Sequence, residues 1–182
     1  MPKVLVPLAN GCEELEAVTI IDLLRRAGVE VVTAGLDDQP VTASRGVRIV
    51  PDVSLDTALE SEYDMVVLPG GMPGAENLEE DRRVIALLKK MAASGAFTAA
   101  ICAAPKVLAE AGLLEGKKVT SYPGFLEPDR YPGLHYTGNP VEKDGKTITS
   151  RGPGTAMDFA LELINTLCGK EIRNKVEKSL VR

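Results

Sequence analysis

The chain has 182 residues, of which 45% are hydrophobic and only 4% aromatic, and its formal net charge is −5. This length and composition predict one domain, residues 1–182, with a core of aliphatic side chains. The acidic balance disfavours the concentrated basic face that nucleic-acid binding requires, so no nucleic-acid partner is expected.

The cysteine count and the first residues indicate the compartment. Cys12, Cys102 and Cys168 are odd in number and form no C-x-x-C, which disfavours a disulfide framework and a thiolate zinc site. Glutamates follow the first apolar run within a few residues, unlike a signal peptide, and no apolar run approaches the roughly 18 residues of a membrane span. We expect a soluble, cytoplasmic protein with reduced thiols, no membrane partner, no metal and no cofactor.

The first 36 residues predict a β-α-β unit. The apolar run KVLVPLA (3–9) is typical of a strand buried on both faces. Residues 12–28 have apolar positions at helical spacing and end at Gly28, and residues 30–36 form a second strand. Such units build parallel sheets with right-handed crossovers.

The same alternation continues along the chain. The remaining predicted strands and helices are an edge strand interrupted by Pro51 (47–55), a strand (63–71), a helix (75–95), a strand (97–102), a helix with Pro105 in its first turn (103–114), a hairpin turning at Asp144-Gly145, and two helices (154–169 and 170–181). The pattern predicts an α/β fold with a doubly wound, mostly parallel sheet between helices.

Three features follow predicted strands and should meet at one edge of that sheet. Glu13, Glu14 and Glu16 follow the first strand, PGGMPG (69–74) follows the strand at 63–71, and Cys102 ends the strand at 97–102. In open parallel sheets, ligands bind at the carboxyl ends of the strands, so we expect the functional site there.

Cys102 has two interpretations. A residue at a tight strand-to-helix turn is often presented to solvent as a nucleophile, and the amides of a helix beginning at Ala103 would favour the reactive thiolate. The alternative is a small hydrophobe that fills the core. The small residues of AICAAP leave room for a small ligand, which favours the functional interpretation.

The acidic cluster also has two interpretations. Glu13 and Glu14 suit the positive end of a helix dipole without any further role. Glu16 lies one turn after Glu13, and a carboxyl that touches a thiolate should be protonated because two adjacent anions oppose each other. Such a pair could exchange protons with a substrate.

Other polar features leave alternatives open. Gly70-Gly71 is either a tight turn or a source of a backbone N–H for an oxyanion. SRG occurs twice, with arginines at Arg45 and Arg151, and each of these is either a solvated surface residue or a ligand for an anion. His135, the only histidine, lies in a Pro/Gly-rich region whose position relative to Cys102 stays open.

Several motifs together resemble the ThiJ/PfpI superfamily, most closely the branch with the parkinsonism-associated deglycase and the bacterial ThiJ-like proteins. They are GCEELEAVTIIDLLRRAG, VVLPGGMPGAENL, AAICAAP and VEKDGKTITSRGPGTAMDFAL, and the similarity extends from residue 3 to the C-terminus. The resemblance implies a flavodoxin-like α/β sandwich, related to class I glutamine amidotransferases, and a homodimer.

The resemblance also implies a site. The reactive cysteine matches Cys102, its protonated partner matches Glu16, and the oxyanion amides match Gly71 and Ala103. The pocket positions implied are Gly70, Arg26, Arg45, Tyr122 and Pro153. Two departures stand out: Tyr122 in TSYPGF replaces an expected histidine, and Ala103 replaces the histidine of the protease-like branch, so peptidase activity is not expected.

Two functions remain open at this point. In the first, the protein is a cysteine-dependent enzyme that converts small α-oxoaldehydes such as methylglyoxal without glutathione, or repairs early glycation adducts. In the second, Cys102 is a redox sensor of a stress chaperone and is oxidised to a sulfinate held by Glu16. Both functions use the same residues.

Overall fold

A seven-stranded sheet lies between two layers of helices in the computed structural model, which describes all 182 residues. The strands are β1 (Lys3–Leu8), β2 (Glu30–Gly35), β3 (Val41–Thr42), β4 (Arg48–Ile49), β5 (Val53–Ser54), β6 (Met65–Leu68), β7 (Phe97–Ile101), β8 (Lys118–Val119), β9 (His135–Tyr136), β10 (Val141–Asp144) and β11 (Thr147–Ser150). The helices are α1 (Glu14–Arg26), α2 (Leu55–Ala58), α3 (Gly74–Glu80), α4 (Arg82–Ala93), α5 (Pro105–Glu110), α6 (Ala156–Cys168) and α7 (Lys170–Ser179). No helix is long and apolar enough to cross a membrane.

The sheet confirms the predicted α/β, doubly wound architecture. Its strand order is β10-β11-β7-β6-β1-β2-β5, and only the β10–β11 hairpin is antiparallel. The order places β1, β6 and β7 side by side at the centre. The parallel pairing directs the carboxyl ends of these three strands to one edge of the sheet.

The apolar run of β1 explains why both sheet faces are covered. Val4, Val6 and Leu8 pack in the core cluster that contains α1 and α6 residues. Leu5 and Ala9 pack in the second cluster, with residues of α3, α4 and α5. Alternate residues of a strand point to opposite faces, so a continuous apolar run needs a helical layer on each side.

Helix α1 begins and ends close to the predicted bounds. The Glu13 side chain caps it by accepting a hydrogen bond from the Leu15 N–H at 3.3 Å. After Arg26 the chain turns at Gly28, whose φ of +79° is readily adopted by glycine. Buried residues on one side of the helix attach it to the sheet, and this side includes Glu16.

Three predicted elements are corrected. The helix predicted at 75–95 is two helices, because the Asp81 side chain accepts the Arg83 N–H at 2.9 Å and starts α4 there. The strand predicted at 47–55 is divided at Pro51: β4 pairs with β3 in a separate antiparallel ribbon, and β5 is the parallel edge strand. The helix predicted at 103–114 is the shorter α5, which begins at Pro105.

The remaining predictions hold in outline. The hairpin β10–β11 turns at Gly145 as predicted, and α6 and α7 match the two C-terminal helices within a few residues. The short parallel pair β8–β9 was not predicted. Strands of two residues carry too little alternation to be recognised in a sequence.

Candidate active site

The predicted meeting of three features at one sheet edge is found in the structure. Glu16 lies in the first turn of α1 after β1, Gly70 and Gly71 follow β6, and Cys102 follows β7. The Gly70 N–H donates a hydrogen bond to Glu16 Oε1 at 3.0 Å, and this bond links the first two features directly. The third is adjacent, since Gly70 packs against Cys102.

Cys102 is held in a left-handed turn between β7 and α5. Its φ of +66° is unusual for a residue with a side chain and costs about 1–2 kcal/mol. Its N–H donates to the Ser150 carbonyl at 2.9 Å, and its carbonyl accepts the Tyr122 N–H at 2.8 Å. Both polar groups of a strained residue are therefore fixed, as in a nucleophile elbow. Its side chain is 8% exposed.

Glycine at position 70 is required by the closeness of the elbow. A Cβ added at Gly70 would lie 2.6 Å from Cys102 Cβ and 2.9 Å from the Ala103 nitrogen. Gly71 has a φ of +87°, and a Cβ there would lie 2.4 Å from the Glu13 nitrogen. The Gly70-Gly71 turn is therefore enclosed between the elbow and the start of α1, with no space for a side chain.

Glu16 is a fully buried carboxyl with one oxygen in use. Its side chain is 0% exposed. Oε1 accepts the Gly70 N–H, whereas Oε2 is buried without an aligned hydrogen-bond partner. An unpartnered buried oxygen is costly for a charged carboxylate and less so for a neutral acid. The Oε2 atom is thus available to exchange a proton with a neighbouring group.

The carboxyl and the thiol influence each other's ionisation. Burial raises the pKa of Glu16 to about 7, although interactions with Cys102 and with the Gly70 N–H oppose this rise. Burial, followed by the charge and hydrogen bonding of Glu16, raises the pKa of Cys102 to about 12. The two groups are a coupled pair, so Glu16 loses its proton first and the resulting anion opposes ionisation of the thiol.

Two backbone amides act in the opposite direction. The N–H groups of Gly71 and Ala103 interact with the sulfur and lower the pKa of Cys102. Neither N–H donates to a backbone carbonyl elsewhere. The amides thus favour the thiolate, as expected, but burial and Glu16 outweigh them, so the net change in the pKa of Cys102 is upward. Only Ala103 contributes from the α5 side, since that helix starts at Pro105.

Tyr122 and Pro153 lie on the two segments that hold the elbow. The Tyr122 ring is 47% exposed and meets Phe125 edge to face, with centroids 6.2 Å apart. Pro153 begins a short 3-10 turn between β11 and α6 and is half-buried. The Tyr122 N–H contacts the Cys102 backbone directly, and the role of both residues in a substrate pocket stays a prediction.

The two predicted arginines lie away from the thiol within one chain. Arg26 pairs with Asp22 one turn earlier in α1 and lines a cavity of about 610 Å³, which Cys102 does not line. Arg45 is exposed, and its backbone N–H donates to Glu14 at 2.9 Å. Glu13 and Glu14 serve the local structure as a helix cap and a loop acceptor, in agreement with their simpler interpretation.

The other candidate groups are placed as follows. His135 is exposed on β9, in the small β8–β9 sheet, and this position leaves Glu16 as the acid–base group beside Cys102. Cys12 is buried, and burial with the nearby glutamates raises its pKa to about 11. Cys168 is half-buried in the last turn of α6. No group of three or more His, Cys, Asp or Glu side chains is placed to ligate a metal ion.

Sequence reasoning missed the backbone partners of the site. The Ser150 carbonyl anchors the elbow, and Gly11 and Gly74 allow the β1–α1 loop to contact the loop after β6. The repeated glycines of PGGMPG were a signal for such close contact. A carbonyl acceptor has no signal, because every residue carries one.

The class of protein follows from the fold and the site: it is an α/β protein with a candidate active-site cysteine. The cysteine lies on a strand-to-helix elbow of a parallel sheet, beside a buried glutamate. Sequence comparison specifies which one: the chain belongs to the DJ-1/PfpI family, whose model matches residues 2–166. The resemblance to the ThiJ/PfpI superfamily is therefore confirmed.

Individual relatives agree with this assignment along the whole chain. Protein dj-1beta of Drosophila melanogaster is 46% identical over 179 residues, 97% of this chain and 95% of that protein. The solved structure of oxidised Toxoplasma gondii DJ-1 is 44% identical, with a TM-score of 0.94 over 100% of this chain and 98% of that one. The glutathione-independent glyoxalase DJR-1.2 of Caenorhabditis elegans is 37% identical over 171 residues, 94% of this chain and 91% of that protein.

Proposed function

We propose that the protein is a cysteine-dependent enzyme of the glutathione-independent glyoxalase type, with related protein-deglycase activity, acting on small α-oxoaldehydes such as methylglyoxal. The observation that carries the proposal is that the left-handed Cys102 elbow packs on the turn whose Gly70 N–H holds the buried Glu16 carboxyl, with the free N–H groups of Gly71 and Ala103 beside it. These are a nucleophile, a proton carrier and two oxyanion donors. The name of the C. elegans relative supports the reaction class.

The first step forms a hemithioacetal. As the Cys102 sulfur attacks the aldehyde carbon of methylglyoxal, its S–H proton passes to the Glu16 carboxylate, a C–S bond forms, and the carbonyl electrons move to the oxygen. The N–H groups of Gly71 and Ala103 stabilise this oxyanion until it takes a proton from Glu16. The raised pKa of Glu16, about 7, suits a group that must both donate and accept protons near neutrality.

The second step moves hydrogen within the adduct. The Glu16 carboxylate removes the hydrogen of the former aldehyde carbon as a proton, and the ketone oxygen is protonated to give an enediol. Return of a proton to the ketone carbon and loss of the hydroxyl proton give a thioester. Water then cleaves the C–S bond, so methylglyoxal and water become lactate and the thiol is restored.

The direct test is incubation with methylglyoxal in the absence of glutathione, followed by measurement of lactate. We expect lactate from the natural protein, none from Cys102→Ser, and a normal rate from the matched variant Cys168→Ser. Absence of lactate from the natural protein, or full activity of Cys102→Ser, would reject the proposal.

The second function is redox sensing, with Cys102 oxidised to a sulfinate that accepts a hydrogen bond from protonated Glu16. Its specific support is that the T. gondii relative was solved in an oxidised form. Peptide mass spectrometry after mild peroxide tests it, because selective oxidation of Cys102 ahead of Cys12 and Cys168 is expected. Equal oxidation of the three thiols would contradict a sensor role.

We further propose that the protein is a homodimer through the outer face of α1 and the adjacent β3–β4 ribbon. Large apolar side chains are exposed there, namely Leu15, Val18, Val47 and Val50. Val18 and Val50 line the same cavity, and exposed apolar surface of this kind is typical of an interface. Analytical ultracentrifugation should show a dimer that Val18→Glu converts to a monomer, and a monomeric natural protein would refute this.

A further inference from the structure

We propose that the aromatic ring of Tyr122 is a positioning element for the reactive thiol: seated on Gly152, it joins the two segments that hold the Cys102 elbow. The inference concerns the thiol that both proposed functions use, and its test does not depend on lactate formation. In this role Tyr122 acts through the backbone of Cys102.

The elbow depends on two hydrogen bonds from different parts of the chain. The Cys102 N–H donates to Ser150 at the end of β11, and the Cys102 carbonyl accepts from the Tyr122 N–H, at 2.9 and 2.8 Å. A left-handed cysteine persists only where its surroundings impose that conformation. Stable positions of Ser150 and Tyr122 are therefore needed for the orientation of the Cys102 sulfur.

The Ser150 segment is rigid by itself. The Ser150 hydroxyl donates to the Pro140 carbonyl at 2.7 Å and lies 2.7 Å from the Thr155 hydroxyl. The Gly152 N–H donates to the same Thr155 oxygen at 3.1 Å. Because Ser150 and Thr155 are buried, the bond between their hydroxyls exchanges little with water and helps to keep residues 150–155 in place.

The Tyr122 segment is attached to that rigid element by the ring. An added Cβ at Gly152 would lie 3.4 Å from Tyr122 Cδ2, so the ring covers the Cα of Gly152. Phe125 also contacts the ring edge to face. These contacts form a closed circuit: Cys102 to Tyr122 by a hydrogen bond, Tyr122 to Gly152 by packing, and residues 150–152 back to Cys102.

The ring therefore has a function that its exposure alone would not suggest. A half-exposed tyrosine contributes little to a core, and its loss should open the space around the thiol. If the ring were only a wall of the site, its removal would speed reactions of Cys102. If it holds the elbow, its removal lets the sulfur move away from the Gly71 and Ala103 amides and slows them.

The two interpretations predict opposite changes in the reaction rate of Cys102, and this difference provides the test. The rate of Cys102 alkylation by iodoacetamide at pH 8 is measured by peptide mass spectrometry in the natural protein and in Tyr122→Ala. We expect the rate to fall about fivefold, as for loss of one net hydrogen bond at the sulfur. Tyr122→Phe retains the ring and should restore the natural rate. An unchanged or faster rate in Tyr122→Ala overturns the proposal, and so does an equal loss in Tyr122→Phe.

Three further variants separate positioning of the thiol from general damage to the fold. Gly152→Val displaces the ring without altering Tyr122, and the extended φ of 171° at Gly152 accepts a side chain, so the same slowing is expected. The double variant Tyr122→Ala/Gly152→Val should be no slower than Tyr122→Ala, since the ring is then already absent. Tyr131→Ala removes a tyrosine from the same loop and should leave Cys102 unaffected. Additive losses in the double variant would overturn the proposal, and buried Cys12 reports unfolding in every sample.

Discussion

The N–H of Gly70 donates to Oε1 of Glu16 and leaves Oε2 buried without an aligned partner. One hydrogen bond thus orients the carboxyl, while the other oxygen is left for proton exchange. The orienting group comes from the turn that also packs on Cys102, so the carboxyl and the thiol are positioned by the same turn. A substitution at Glu16 or at Gly70 should therefore change the reactivity of Cys102.

Replacing Glu16 by glutamine should separate thiol reactivity from catalysis. The variant removes the negative charge that, after burial, raises the pKa of Cys102. We expect iodoacetamide to alkylate Cys102 about tenfold faster at pH 8 for each unit by which that pKa falls. Lactate formation should be lost because no proton carrier remains.

Glu14→Gln is the matched control, because Glu14 lies in the same helical turn but faces Ser44 and Arg45. Glu14→Gln should change neither the rate of Cys102 alkylation nor the rate of lactate formation. Alkylation in Glu16→Gln that stays at or below the natural rate at every pH would contradict the coupling of the two groups.

The free energy of unfolding should fall as the pH rises through the range set by Glu16. Its folded pKa is about 7 and its ordinary value 4.5, so the folded state holds a proton that the unfolded state has released. The protein is therefore destabilised between these values, by roughly 3 kcal/mol in total from this group, and not further above about 7.

Urea unfolding from pH 4.5 to 8 measures this dependence in the natural protein and in Glu16→Gln. The loss of stability over that range should be smaller in the variant by the contribution of this carboxyl. Equal slopes in the two proteins would show that Glu16 is not the buried acid responsible.

Gly70→Ala should be strongly destabilising. The added methyl would meet Cys102 Cβ and the Ile101 carbonyl, both at 2.6 Å, and neither backbone can move freely. Overpacking of this kind costs about 1–3 kcal/mol. Gly154→Ala is the control, since a Cβ there meets nothing within 4 Å. Equal midpoints of urea unfolding in the two variants would disprove the close fit.

Asp81→Ala should weaken the start of α4. The Asp81 side chain accepts the Arg83 N–H, and loss of such a cap costs about 1 kcal/mol. Its hydrogen bond to the Arg83 side chain lowers the Asp81 pKa, so this stabilisation exists above the ordinary value and is lost as the pH falls. Thermal unfolding at pH 7 and pH 3 checks both points, and Asp81→Asn should retain most of the cap. A natural stability in Asp81→Ala would refute the capping role.

The central elements were predictable because their patterns are strong. The continuous apolar run of β1 required a helix layer on each face, and Gly28 and Gly145 marked turns that the structure contains. The predicted elements that were wrong are those whose bounds depend on competition between neighbouring segments. Whether residues 82–93 continue α3 or begin a new helix is decided by the Asp81 cap and by packing, which periodicity does not distinguish.

The sequence by itself determined the class of sheet, the order of its elements and the identity of the thiol, the glutamate and the glycines that meet at its edge. Only the tertiary structure decided the ionisation of the pair, because burial depends on every segment that covers Glu16 and Cys102 and here outweighs the amides. It also decided what holds the elbow. The Ser150 carbonyl and the Tyr122 N–H are groups that every such residue carries, and they acquire a role only when folding brings them to Cys102.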